Sequence, residues 1–246
     1  MRKRMIAWVL TCASLLALCM SAQAAAKDFT VRHGDQTRKR VAVTIDDCFS
    51  LEHTVAAFEL ANRYEVPITF FMLGINLPEQ DAEVWRAIAD SQCEIGNHTY
   101  GHISLTTLDA RGIYAQLMKA QEQLDAKLGY HYPMQVMRPP YGHLNRDGKN
   151  HVLKAIEDVG YTHAVLWDVS QTDPEQCYRR VKNGSILLFH TQAKDIRCLE
   201  ELIPRLLEDG YELVTVSEML DMPPVATSTD MYTYVYYHDW QKQQEQ

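Results

Sequence analysis

From about residue 40 onward, short apolar runs alternate with longer stretches in which apolar positions recur every three or four residues. The runs at 41–45, 68–73, 93–96, 135–137, 163–167, 185–189 and 212–215 have the length of buried strands. The stretches at 51–64, 79–90, 110–128, 149–159 and 196–208 have the period of helices with one face turned inward. Strand then helix, repeated about seven times, predicts an α/β fold with a parallel sheet covered on both faces. Polar side chains able to do chemistry gather where the runs stop: Asp46 and Asp47, His98, Arg138, Asp168 and His190. A closed barrel brings such strand ends to one mouth, whereas an open sheet strings them along an edge. The expected architecture is a distorted (β/α) TIM-like barrel of about seven parallel strands, forming one domain over residues 41–221.

The flanks change the picture in a different way. Arg2, Lys3 and Arg4 precede an apolar stretch at 6–20 that ends in Ala22-Gln23-Ala24, the pattern of a signal peptide over residues 1–24. Roughly 15 apolar residues fall short of the roughly 20 that a spanning helix needs. No stable membrane span is therefore expected after cleavage, and the mature chain is expected to be secreted or cell-wall associated. Residues 25–40 read as a linker or irregular first segment. Residues 222–246 read as a polar tail in which Tyr232-Thr233-Tyr234-Val235-Tyr236-Tyr237 could add an edge strand.

Formal charge is −8, and removing residues 1–24 takes away three positive charges and no negative ones, giving −11. That balance argues against nucleic acid and anionic membrane surfaces as partners. Four cysteines lie beyond the signal segment, Cys48, Cys93, Cys177 and Cys198, with spacings that match no zinc knuckle. Cys177 with Cys198 is the expected pair if a disulfide forms; buried free thiols are the alternative. The chain is expected to act as a monomer.

The strand-end residues suggest a reaction. Two imidazoles in His98-Thr99-Tyr100-Gly101-His102 and one carboxylate from Asp46-Asp47 suffice to hold a divalent metal and leave coordination positions open. The other aspartate is then free to take a proton from water, as a metal-dependent hydrolase requires. In Arg138-Pro139-Pro140-Tyr141 the prolines carry no N–H, so the first backbone donor after Arg138 belongs to Tyr141, placed to meet an oxyanion. Arg138, always charged, would hold and aim a neighbouring aspartate. His190 ends the apolar run 185–189 and can protonate a departing amine, while Leu188 could line a pocket for a small acyl methyl. Trp167, at the end of its own run, is a further substrate-binding candidate.

Thr44-Ile45-Asp46-Asp47, His98-Thr99-Tyr100-Gly101-His102, Arg138-Pro139-Pro140-Tyr141 and Leu188-Phe189-His190 resemble four of the five motifs of the polysaccharide deacetylase family, the NodB homology domain or carbohydrate esterase family four. They fall in the right order across roughly residues 40–220. The resemblance implies a distorted (β/α) barrel that binds zinc, or cobalt, nickel or manganese, and removes acetyl groups from N-acetylated amino-sugar polysaccharides or oligosaccharides such as peptidoglycan or chitin-like glycans. Carried over by position, it implies Asp46 as catalytic base, Asp47, His98 and His102 as metal ligands, Arg138 as the residue that tunes the base, Tyr141 as oxyanion donor and His190 as catalytic acid.

The sequence also departs from the pattern. Ile45 stands where the family usually has Phe, and Cys48 where it has Gly. In the fourth motif Ser170-Gln171-Thr172-Asp173-Pro174 keeps the second Asp but lacks the first and the Trp. Asp173 is expected to tether Arg138. Two alternatives stay open: an amidohydrolase or esterase acting on a different small acylated substrate, and a catalytically impaired carbohydrate-binding member.

Overall fold

The computed structural model describes residues 29–144 and 150–224. The central strand β2 (Arg40–Asp47) is buried along nearly its whole length. It pairs in parallel with β3 (Thr69–Met72) on one side and β6 (Ser185–His190) on the other. β3 pairs in parallel with β4 (Glu94–Asn97), and the short β7 (Glu212–Leu213) pairs with the start of β2. Single bridges continue the ring: Asn97 to Met137, Met137 to Ala164 of β5 (Ala164–Val165), and Val169 to Leu187 of β6. The sheet is thus a deformed parallel barrel closed by isolated bridges, with Met137 standing in for the strand expected at 135–137.

β1 (Thr30–Val31) pairs in parallel with β5. It falls in the segment expected to be a linker or irregular. Phe29 and Val31 each pack on a core cluster, and Gly34 N–H donates to Gly184 O at 2.8 Å. This stretch buries apolar side chains and fills the seam between β5 and β6, which a solvated linker cannot do. The proposed signal segment and most of the expected C-terminal tail, including 232–237, lie outside the described residues.

Helices α1 (Leu51–Tyr64), α2 (Ala82–Ala89), α3 (Ala110–Leu128), α4 (His151–Val159), α5 (Pro174–Arg180), α6 (Ala193–Glu208) and α7 (Val216–Met219) cover the barrel. Their boundaries follow local chemistry. Ser50, Asp81, Asp109, Asp173 and Thr215 cap N-termini with their side chains. Gly129 at φ 83° ends α3. Gly74–Glu79 forms a 3₁₀ turn, so the helix expected from residue 79 begins instead at Ala82, behind its cap Asp81. The outward row Val41, Val43 and Ile45 packs on Ala57 and Leu60 of α1 and Leu199, Leu202 and Ile203 of α6. Each such side chain is worth about 1.5–3 kcal/mol in burial. Ala42, Phe71, Val136, Val165 and Ile186 form a second cluster. No described helix is long and apolar enough to cross a membrane.

Candidate active site

Along β2 the residues Ala42, Thr44 and Asp46 share one face. Asp47 would point the other way in a regular strand, but at φ 69° it leaves strand geometry, as does Cys48 at φ 51°. That turn brings two neighbouring carboxylates to the same mouth. Non-glycine residues with positive φ carry a cost and cluster where function demands the geometry. Thr99 (φ 74°), His102 (φ 54°) and Tyr141 (φ 61°) add three more at this mouth.

His98 follows the end of β4, and the segment to His102 is a tight loop. Asn97 Oδ1 accepts the Thr99 N–H at 2.8 Å, Thr99 Oγ1 accepts the His102 N–H at 3.2 Å, and Gln116 Oε1 accepts the Gly101 N–H at 2.9 Å. The loop aims both imidazoles at Asp47, whose Oδ1 lies 3.6 Å from His98 Nε2 and 3.5 Å from His102 Nε2. These three residues are the group of potential metal ligands among the described residues. Two features fit a cation. Asp47 Oδ1 is buried with no hydrogen-bond partner, a costly state that a bound ion would relieve. His98 Nδ1 lies 2.8 Å from the Arg138 carbonyl, which fixes the ring tautomer and leaves Nε2 as the donor atom. Burial holds His98 below the ordinary imidazole range against the pull of Asp46 and Asp47, favouring the neutral, ligating form.

Arg138 is fully buried inside the barrel. Its Nη1 donates to Asp46 Oδ1 at 2.6 Å and to Thr44 Oγ1 at 2.7 Å, while Nε and Nη2 reach the carbonyls of Val165 and Leu166. The guanidinium lies 4.2 Å from the Phe71 ring centroid and 5.7 Å from that of Trp167. Burial lowers its pKa against the Asp46 charge, yet a guanidinium stays protonated. Asp46 Oδ2 is 3.7 Å from His98 Nε2, so Asp46 borders the triad without belonging to it.

His190, half-buried, is the register partner of Asp46 across β2 and β6. Leu188 is nearly closed off at 6% exposure, and Trp167 is half-buried against the Tyr141–Gly142 turn. Tyr141 itself is exposed, its ring edge-on to His102 at 4.5 Å between centroids.

The structure does not bear out the expected tether between Asp173 and Arg138. Asp173 is exposed and spends its carboxylate on the Gln176 N–H at 2.8 Å, capping α5. Thr44 and the Val165 and Leu166 carbonyls supply the partners instead. Cys48 is 1% exposed, and burial beside Asp46 and Asp47 pushes its thiol well above the ordinary range, leaving it unreactive. All four described cysteines are free and buried, and the Cys198 thiol donates to the Gln171 carbonyl at 3.9 Å. Thr44 and Asn97 were missed from the sequence. Thr44 was legible as the residue two before Asp46 on the same strand face, whereas nothing marked Asn97.

Fold and donor set define a deformed parallel α/β barrel with an Asp–His–His triad able to hold a metal ion at its C-terminal mouth. The sequence matches the polysaccharide deacetylase family over residues 33–164, more than half of the chain, and the chain belongs to that family. It is 28% identical over 194 residues to the peptidoglycan-N-acetylglucosamine deacetylase PgdA of Listeria monocytogenes, which covers 75% of this chain but only 39% of that relative. A pseudoenzyme of carbohydrate esterase family four from Bacillus anthracis superposes with a TM-score of 0.69 at 26% identity, covering 80% of this chain and 71% of that one. PdaA of Bacillus subtilis, a family 4 carbohydrate esterase, shares the fold with a TM-score of 0.68 at 24% identity, covering 78% of this chain and 84% of that one.

Proposed function

We propose that this chain is an exported, metal-dependent N-deacetylase that hydrolyses acetamide groups of N-acetylated amino-sugar polymers. The observation that carries the reading is the buried, unpartnered Asp47 Oδ1 facing both histidine Nε2 atoms beside an arginine-held Asp46. At such a donor set a divalent ion, zinc or else cobalt, nickel or manganese, supplies Lewis-acid polarisation of the acetamide carbonyl and acidifies water. Asp46, aimed by Arg138, takes the proton of the attacking water. The Tyr141 backbone N–H meets the charge that develops on the acetamide oxygen. His190 protonates the departing sugar amine, and acetate and a free amino sugar leave. Leu188 and Trp167 border the space for the acetyl methyl.

The signal-peptide pattern of residues 1–24 supports a wall or other extracellular glycan as substrate. So does the mouth: Phe49, Ile75, Ile103 and Tyr141, the exposed large hydrophobics among the described residues, all follow the ends of β2, β3, β4 or the Arg138 segment. Apolar rims of this kind suit the faces of sugar rings. A catalytically impaired carbohydrate-binding member is the second reading, favoured by the altered 170–174 segment and by the likeness to a pseudoenzyme. Acetate release from peptidoglycan and chitin-like oligomers, with and without chelator, separates the two. Chelator-sensitive release is expected, and glycan binding without release would leave only the second reading.

A further inference from the structure

Directly after His190 the chain turns into α6. The Gln192 N–H donates to the His190 carbonyl at 2.9 Å, and the amides of Asp195 and Ile196 donate to the Gln192 carbonyl at 2.9 and 3.1 Å. Asp195 therefore sits in the first turn of α6, folded back toward the end of β6. It is 1% exposed, and neither carboxylate oxygen has a hydrogen-bond partner. An acidic residue at this position normally reaches back to the N-cap amide. Here that amide, of Gln192, is already spent on His190, so helix capping does not account for Asp195.

Burying an unpaired carboxylate is costly, and burial raises the Asp195 pKa. Pulling the other way are the charges of His190 from β6 and Lys194 on the same helix, the His190 backbone N–H, which the carboxylate approaches without forming a full hydrogen bond, and the charge of His53 from α1. Cys198, one turn further along α6, also faces it. His53 has its Nδ1 2.8 Å from Ser50 Oγ, which leaves only Nε2 for any other partner. The other acidic side chains near β6 are committed elsewhere: Asp46, the register partner of His190, accepts from Arg138 Nη1 at 2.6 Å, Asp168 accepts from Ser185 Oγ and the Ile186 N–H, both at 2.9 Å, and Asp173 caps α5. A histidine that donates a proton is ordinarily oriented by a third group, and Asp195 is the acidic side chain left to do it.

We propose that Asp195 is a positioning residue for His190, its carboxylate pairing with the imidazole and holding it in one tautomer and orientation while it protonates the leaving amine. This rests on the reading of His190 as catalytic acid. A buried charge retained at a cost to stability beside a reacting group is what such a role requires.

Kinetics of the metal-loaded enzyme on an N-acetylated chitooligomer test this in a double-mutant cycle. Asp195→Asn is expected to keep KM, to lose about 10- to 100-fold in kcat, and to narrow the pH profile of kcat on its alkaline side. In a His190→Ala background the same substitution is expected to change nothing, because Asp195 acts through that ring. In metal-free protein, nitrogen NMR of labelled histidine is expected to show one His190 tautomer in the wild type and a mixture in Asp195→Ala.

Thermal melts guard against misfolding. Because burial raises the Asp195 pKa, the folded chain holds that proton more tightly than the unfolded chain, so ionisation costs stability as pH rises above 3.8. Asp195→Asn is therefore expected to melt no lower than wild type, with its advantage growing from acid to neutral pH. Wild-type kcat and tautomer in Asp195→Asn and Asp195→Ala, or an equal loss with and without His190, overturns the inference alone. Full activity of His190→Ala overturns the reading beneath it as well.

Discussion

At the N-terminal end of the barrel Glu94 is buried, yet it accepts hydrogen bonds from Thr69 Oγ1 at 2.9 Å, the Val216 N–H at 3.0 Å and the Ser217 N–H at 3.2 Å. At the C-terminal mouth Asp47 Oδ1 and both oxygens of Asp195 are buried without a hydrogen bond. The backbone divides the same way. Of seven non-glycine residues with positive φ among the described residues, five lie at the mouth: Asp47, Cys48, Thr99, His102 and Tyr141. One end closes β4 onto α7 with its polar groups satisfied, and the other keeps strain and orphaned charge. Satisfied burial contributes stability, whereas unsatisfied burial persists only where something outside the folded chain completes it. In parallel barrels the C-terminal face is where chemistry resides.

The sharpest way to break the contrast is at Asp46. Asp46→Asn should lower turnover by about 10²–10⁴-fold, the contribution of a general base, while leaving the fold intact. Steady-state acetate release checks it, and near-normal turnover would assign the base elsewhere. At the opposite end Glu94→Ala should destabilise by about 3 kcal/mol by orphaning buried donors, with turnover per folded molecule unchanged. Denaturant unfolding combined with kinetics would expose any coupling between the two ends.

A smaller effect follows from pH. Burial raises the Glu94 carboxyl, so the folded state binds its proton more tightly than the unfolded state, and this group costs stability as pH rises above 4.5. Glu94→Gln should flatten that part of the stability curve. Least of all should change at Cys48: Cys48→Ala is expected to keep metal and turnover, with stability shifted by about 1 kcal/mol. Thiol alkylation of the native protein should not inactivate it. Inactivation that Cys48→Ala escapes would show that the thiol is accessible and part of the site.

Much of this was legible in the chain because strand periodicity and strand-end chemistry are local. The runs at 41–45 and 185–189 and the helices at 51–64 and 110–128 carry their own apolar pattern and caps, and with them the places of Asp46, Asp47, His98, Arg138 and His190. What was not legible depends on contacts distant in sequence. β1 is two residues long and exists because β5 lies beside it. Met137 closes the ring through single bridges that leave no periodic trace. Asp173 carried a motif position, but Pro174 after it starts a helix, and the carboxylate became a cap. Asp195 looks like any acidic residue in a helix's first turn; only its burial sets it apart.

The central claim is that the unpaired oxygen of Asp47 is there for an ion and the paired Asp46 is not. Metal analysis of purified Asp46→Asn and Asp47→Asn proteins beside the wild type tests it most directly. One divalent ion per chain is predicted in the wild type and in Asp46→Asn, and loss of that ion in Asp47→Asn. Undiminished metal in Asp47→Asn, or equal loss from both variants, would contradict the account.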